Sequence, residues 1–125
     1  VLRIVVFNSS DIPIYQQIVN QIKSEIISGK LREEECLPSI RGLAKELRIS
    51  VITTKRAYED LERDGFVVTV PGKGSFVAAQ NVELLHEEAL RQTEDILQQA
   101  VDAARRGGVT PEELFQQLSL LWEEE

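Results

Sequence analysis

Methionine is absent from this sequence of 125 residues, and cysteine and histidine occur once each, as Cys36 and His86. A chain without Met is expected not to begin at its first encoded residue. A single cysteine cannot form an internal disulfide, which fits a reducing cytoplasm. Cys36 is expected to behave as a small, partly buried apolar residue. A single histidine argues against His-based catalysis and His-rich metal sites, so His86 is expected at a surface or interface, and no metal or cofactor is implied. Long hydrophobic runs are missing as well. Stretches such as Ile4-Val5-Val6-Phe7 stop at four residues, whereas a membrane span needs about eighteen or more. No charged–apolar–small leader opens the chain. Internal repeats are lacking, and low complexity is confined to Glu123-Glu124-Glu125. No nucleophile–base pair stands out, so nothing carries an enzymatic reading.

What is present suffices for a core. The chain is 42% apolar and 28% charged, the composition of one ordinary domain or of a small domain with an appendage. Its net charge of −7 argues against nucleic acid only until its distribution is considered. Residues 1–80 hold 11 basic and 10 acidic residues, whereas residues 81–125 hold 3 and 11. Between Pro38 and Arg56, the basic residues Arg41, Lys45, Arg48, Lys55 and Arg56 stand against one acid, Glu46. A local basic patch binds phosphate despite an acidic total, because the field depends on where the charge sits.

Residues 1–7 are rich in Val and Ile and predict a strand, followed by turn chemistry at Asn8-Ser9-Ser10-Asp11. A first helix is predicted from near Asp11, with Pro13 in its first turn. Ile14, Ile18, Val19, Ile22, Ile26 and Ile27 recur at helical spacing, and Gly29 caps the end. A polar connection, Lys30–Leu37, leads to Ser39, the cap of a short second helix through about Leu47 with Ile40, Leu43, Ala44 and Leu47 inward. Arg48-Ile49 is a tight turn. Ser50 caps a third helix running to Asp64, ended by Gly65. On it, Thr54, Ala57, Tyr58 and Leu61 share a core face, while Ile52, Lys55, Arg56 and Glu59 share the opposite one. Phe66–Val70 and Ser75–Val77 are strands around a Pro71-Gly72-Lys73-Gly74 turn. The order helix, helix, turn, helix, hairpin is that of a winged helix-turn-helix.

Ala78–Asn81 links to a second module. A long helix is predicted from Asn81 to Arg106, with Leu85, Ala89, Ile96, Ala100 and Ala103 or Ala104 as its seam. Gly107-Gly108 stops it. Thr110-Pro111-Glu112-Glu113 is a capping box opening a last helix, whose apolar face is Leu114, Phe115, Leu118, Leu121 and Trp122. The expected division is a winged helix-turn-helix domain at 1–79 and a short helical dimerisation module at 80–125, mainly α with a small β wing. Two helices alone are expected to be too small to enclose a cavity of about 300 Å³. Their stripes are therefore taken as packing surface for a second copy of the chain, with an effector pocket as the alternative and any small-molecule effector unknown.

The blocks Leu37-Pro38-Ser39-x-Arg41-x-Leu43-Ala44, Ile49-Ser50, Arg56-Ala57-Tyr58-x-x-Leu61-x-x-Asp64-Gly65 and Gly72-x-Gly74-Ser75-Phe76-Val77 resemble the GntR family of bacterial transcription regulators. The opening Pro13-Ile14-Tyr15-Gln16-Gln17-Ile18 and the Arg56-Ala57-Tyr58 step look like its YtrA subfamily. The resemblance covers residues 11–79. It implies a cytoplasmic homodimer acting by repression on a near-palindromic operator in double-stranded DNA. Ser39 and Arg41 would reach phosphate and base edges. Ser50, Val51, Ile52, Thr53, Lys55 and Arg56 would enter the major groove. Gly72 and Lys73, at the wing tip, would approach the minor groove. Two positions depart from the pattern: Val51 follows the third helix's cap where many members carry Arg, and Gly42 stands where Glu is common, so the second helix lacks a capping box.

Each residue also has an ordinary role. Ser39, Ser50 and Thr53 serve as helix caps, which is compatible with phosphate binding at a helix N-terminus. Gly72 and Gly74 are turn glycines, and Gly-Lys-Gly-Ser lies between strands without the earlier glycine of a phosphate loop. Ile52 is either loosely buried or free to pack on a thymine methyl. The rival to a DNA-binding regulator is a winged-helix protein–protein adaptor, favoured by the acidic total. Salt-sensitive binding to duplex DNA separates the two.

Overall fold

The computed structural model of the chain describes residues 2–124. Its elements are α1 (Ile14–Ile27), α2 (Ile40–Leu47), α3 (Val51–Arg63), β1 (Val67–Val70), β2 (Gly74–Val77), α4 (Val82–Gly107) and α5 (Pro111–Glu123). The fold is mainly helical with one two-stranded wing, as its sequence predicts. Two compact units divide it, the first ending at Val82 and the second beginning at Glu83. Among the described residues, no helix is long and apolar enough to cross a membrane.

The first unit is built on α1 and α3. Ile18 and Ile22 of α1 and Ala57 and Leu61 of α3 are fully buried, joined by Leu43 of α2 and by Phe66, Val67 and Val77 at the base of the wing. Full burial of one such aliphatic side chain contributes roughly 1.5–3 kcal/mol. The predicted core face of α3, Thr54, Ala57, Tyr58 and Leu61, is buried throughout. The helix also buries its charge with a partner: Lys23 of α1 lies 3.0 Å from Asp64 at the end of α3 and 5.1 Å from the centre of the Phe66 ring.

The strand predicted over residues 1–7 does not form a ladder. Val1 lies outside the described residues, and residues 2–7 pair with no strand. Two glutamines of α1 take the place of the missing neighbour. Gln21 accepts from the Val5 amide at 3.0 Å and donates to its carbonyl at 2.7 Å. Gln17 does the same for Phe7, at 2.9 and 3.0 Å. Residues two apart on an extended chain present groups to the same side, and glutamines four apart on a helix share a face, so the two spacings match. The first helix begins at Ile14 with Pro13 as its N-cap residue, later than predicted near Asp11, and without a side-chain cap.

The wing pairs Val67 with Val77 and Val70 with Gly74 in antiparallel register. Its tip turns through Pro71 and Gly72, closed by the Lys73 amide on the Val70 carbonyl at 2.9 Å. Gly72 takes φ +77°, the third position of a type II turn. The connection before α2, predicted as merely polar, lies along the outer edge of β2. Glu34 donates to Val77, Val77 to Glu35, and Leu37 to Ser75.

In the second unit α5 opens with the predicted capping box. The Thr110 hydroxyl accepts from the Glu113 amide, and the Glu113 carboxylate accepts from the Thr110 amide at 2.9 Å. The backbone hydrogen bond from Thr110, and then its side chain, hold the Glu113 carboxyl below the usual carboxylate range.

Replacing Gln17 and Gln21 together by Leu is expected to release residues 4–7 while α1 to α3 stay folded, since each hydrogen bond contributes about 1 kcal/mol. Amide exchange at Val5 and Phe7 should rise toward the unprotected rate, with the far-ultraviolet dichroism of the helices unchanged. Protection that survives the double substitution refutes the glutamine ladder.

Candidate nucleic-acid interface

The turn between α2 and α3 positions everything exposed around it. Arg48 ends α2 at φ 58° and ψ 47°, a left-handed conformation that side chains rarely take. The Ile49 amide then reaches back to the Ala44 carbonyl at 3.0 Å. This brings Ser50 at once to the start of α3, where its hydroxyl oxygen accepts from the Thr53 amide at 3.0 Å. The Ser39 hydroxyl caps α2 in the same way through the Gly42 amide, at 2.9 Å. A Cβ at position 42 would lie 2.8 Å from that hydroxyl oxygen. The glycine therefore bears on the orientation of Ser39 as well as on helix stability.

A buried tyrosine joins α3 to the start of α2. The Tyr58 hydroxyl donates to the Pro38 carbonyl at 2.6 Å. Burial, with a smaller contribution from nearby Cys36, raises the Tyr58 pKa far above its ordinary value, so the hydroxyl stays a donor. Since Leu37 is bonded to Ser75 of the wing, residues 37 and 38 tie α2, α3 and β2 together.

On this frame the expected residues sort into two groups. Ser39, Arg41, Gly72 and Lys73 line one shallow concavity of about 430 Å³ between the first turn of α2 and the wing tip. Val51, Ile52, Lys55 and Arg56 are exposed on α3, with Thr53 half-buried. Arg41, Lys55 and Lys73 make no ion pair among the described residues. Arg56 differs. Its guanidinium stacks 3.7 Å from the centre of the Tyr15 ring and donates to the Tyr15 hydroxyl at 3.0 Å. Tyr15 is thus a part of this surface that residue-by-residue reading missed, because a contact across 41 positions has no local signal. Cys36 is exposed, not partly buried as expected, because it stands on the connection that edges the wing.

The second unit carries the other predicted surface. Leu85, Ala89, Ala100 and Leu114 are half-buried, while Ile96, Phe115, Leu118, Leu121 and Trp122 are exposed, Trp122 by 82%. A groove of about 650 Å³ runs between α4 and α5, lined by Leu97, Ala100, Val101, Leu114, Phe115 and Leu118 among others. The expectation concerned an enclosed cavity of about 300 Å³, and this larger space is a groove that the two helices do not enclose. The space is open to one side, which two helices allow and a closed cavity does not. Leu97 and Val101 were missed as lining residues, although with Ala100 and Ala104 they keep helical spacing.

Comparison with known proteins follows the same lines. Residues 14–77 match the family described as bacterial regulatory proteins, gntR family. The HTH-type transcriptional repressor YtrA of Bacillus subtilis is 32% identical over 107 residues, 86% of this chain and 82% of that protein. The crystal structure described as a transcriptional antiterminator from Listeria monocytogenes is similar with a TM-score of 0.72 and 32% identity, covering 98% of this chain and 92% of that one. The AraR DNA-binding domain, solved in complex with an operator, is similar with a TM-score of 0.52 and 28% identity over 62% of this chain and 93% of that one.

The Tyr15–Arg56 contact generates a measurable coupling. Thermal or denaturant melts of Tyr15→Ala, Arg56→Ala and the double variant should give an interaction energy of about 0.5–1 kcal/mol, typical of an exposed cation–π pair. Tyr15→Phe should retain most of it. Additive effects refute a stable contact.

Proposed function

We propose, since this chain belongs to the gntR family of bacterial regulatory proteins, that it represses transcription as a homodimer seated on a near-palindromic operator. The coarser statement needs no proposal: the family and the relatives are DNA-binding transcription regulators, not enzymes. The finer one rests on a single observation. Arg41 and Lys73 flank one concavity and Lys55 stands on the outward face of α3, all three without an acidic partner among the described residues. Unpaired cations on a surface fixed by buried packing suit a polyanion, because no internal ion pair has to be broken first.

In this reading α3 enters the major groove through Val51, Ile52, Thr53 and Lys55, with Arg56 held at its side by Tyr15. Ser39, Ser50 and the free amides of their helix starts meet phosphates. Arg41 reaches a base edge, and the Gly72–Lys73 tip meets the neighbouring backbone or minor groove. Dimerisation follows from the second unit, whose exposed Phe115, Leu118, Leu121 and Trp122 form an apolar surface that two helices cannot cover by themselves. A two-fold dimer reads two half-sites and gains affinity from both. The site of action is the cytoplasm, where DNA is available and Cys36 stays reduced.

Arg41→Ala should weaken operator binding more than tenfold in the folded dimer, because a bidentate arginine–guanine contact contributes about 1–3 kcal/mol and two copies act. Labelled-duplex titration with circular dichroism as folding control measures this. Affinity should also fall with salt. With Arg41, Lys55, Arg56 and Lys73 as the largest set in each of two chains, the log–log slope should not exceed about −7 in magnitude. Equal affinity for operator and scrambled duplexes, or a flat salt response, returns the protein to the adaptor reading.

The dimer is tested separately. Leu118→Asp with Leu121→Asp is expected to give monomers by light scattering at micromolar concentration. A dimer that persists assigns the interface elsewhere.

A further inference from the structure

The first turn of α3 is apolar where it faces outward. Val51 is 42% exposed and Ile52 81%. The polar groups beside them are already engaged. The Ser50 hydroxyl donates to the Thr53 hydroxyl at 2.8 Å while accepting from the Thr53 amide, and Thr53 is itself half-buried. What this turn offers a partner is therefore methyl groups, one step along the helix from the exposed ammonium of Lys55.

One exposed isoleucine is ordinary on a protein surface. Here two adjacent β-branched residues occupy the outward start of a helix whose next outward residue is an unpaired cation. The partner must then be anionic overall and apolar locally. The major groove of DNA answers both requirements, and the one apolar group on its base edges is the thymine 5-methyl. Arg and Lys read guanine through hydrogen bonds, and Val51 removes that capacity from the first position of the helix.

We propose that Val51 and Ile52 are specificity-determining residues that pack on thymine 5-methyl groups, so that each operator half-site carries thymine beneath the first turn of α3. Guanine is read elsewhere, by Arg41 and Lys55. This rests on the DNA-binding role assigned above and adds to it the chemistry of the bases selected.

The test uses the full-length chain and the duplex it recovers from a random-sequence pool. Each thymine of that duplex is replaced in turn by deoxyuridine, which removes only the 5-methyl. One or two replacements per half-site should lower affinity about fourfold for each methyl lost from an apolar contact. In Ile52→Ala and Val51→Ala that penalty should shrink at the matching thymine. In Lys55→Ala overall affinity should fall while the deoxyuridine penalty persists. Both substituted side chains are exposed, and circular dichroism confirms folding. Undiminished wild-type binding to the fully deoxyuridine-substituted duplex overturns the proposal. So does a penalty that is unchanged in both variants. A pool that yields no preferred duplex overturns the DNA-binding role itself, and this inference with it.

Discussion

The hydrogen bond from the Tyr58 hydroxyl to the Pro38 carbonyl sets the geometry on which the proposed interface depends. A phenol buried in a core without a partner is costly, and the Pro38 carbonyl lies beside the start of α2, outside any helical ladder. Satisfying both groups with one bond fixes where α2 begins relative to α3. The Leu37 amide, one residue earlier, is held by Ser75 of the wing. Three elements that carry the proposed contact residues are thereby registered through two consecutive positions of the chain.

Charge distribution works with this frame. The first unit is close to neutral in sum but carries the exposed, unpaired cations Arg41, Lys55 and Lys73, whereas residues 81–125 carry 11 acids against 3 bases. In the proposed function, an acidic second unit would disfavour DNA wherever the cations are not seated. Such a distribution would penalise non-specific sites more than a specific one, favouring discrimination over raw affinity.

The helical framework was legible in the sequence because each helix carries its own punctuation. Ser39, Ser50 and Thr110 mark starts, Gly65 and Gly108 mark ends, and the 54–57–58–61 spacing separates core from surface on α3. The residues 1–7 strand failed for an instructive reason. Val and Ile runs report extended backbone, and the segment is held extended, but a strand needs a neighbour that only tertiary structure supplies. Here the neighbour is a pair of glutamine side chains. Of the candidate site, Arg41, Lys55 and Lys73 are exposed as a surface site requires; the family resemblance pointed to Arg41, helical phase to Lys55 and the turn to Lys73. Tyr15 was not legible as a member, nor were Leu97 and Val101 as groove lining. Those roles arise from which helices lie side by side, a property of the packed chain and not of any short window within it.

The wing tip draws its shape from handedness. A Cβ built at Gly72 meets no atom within 4 Å, so space is not what calls for glycine there; the positive φ is. An L-amino acid would be strained at this position, but its mirror image would not. A chemically assembled chain with D-alanine at position 72 would fit the turn and restrict the unfolded chain more than glycine does. It would give a stiffer wing of unchanged shape. Stereochemistry thus offers a way to vary the rigidity of the wing tip while every other side chain stays in place.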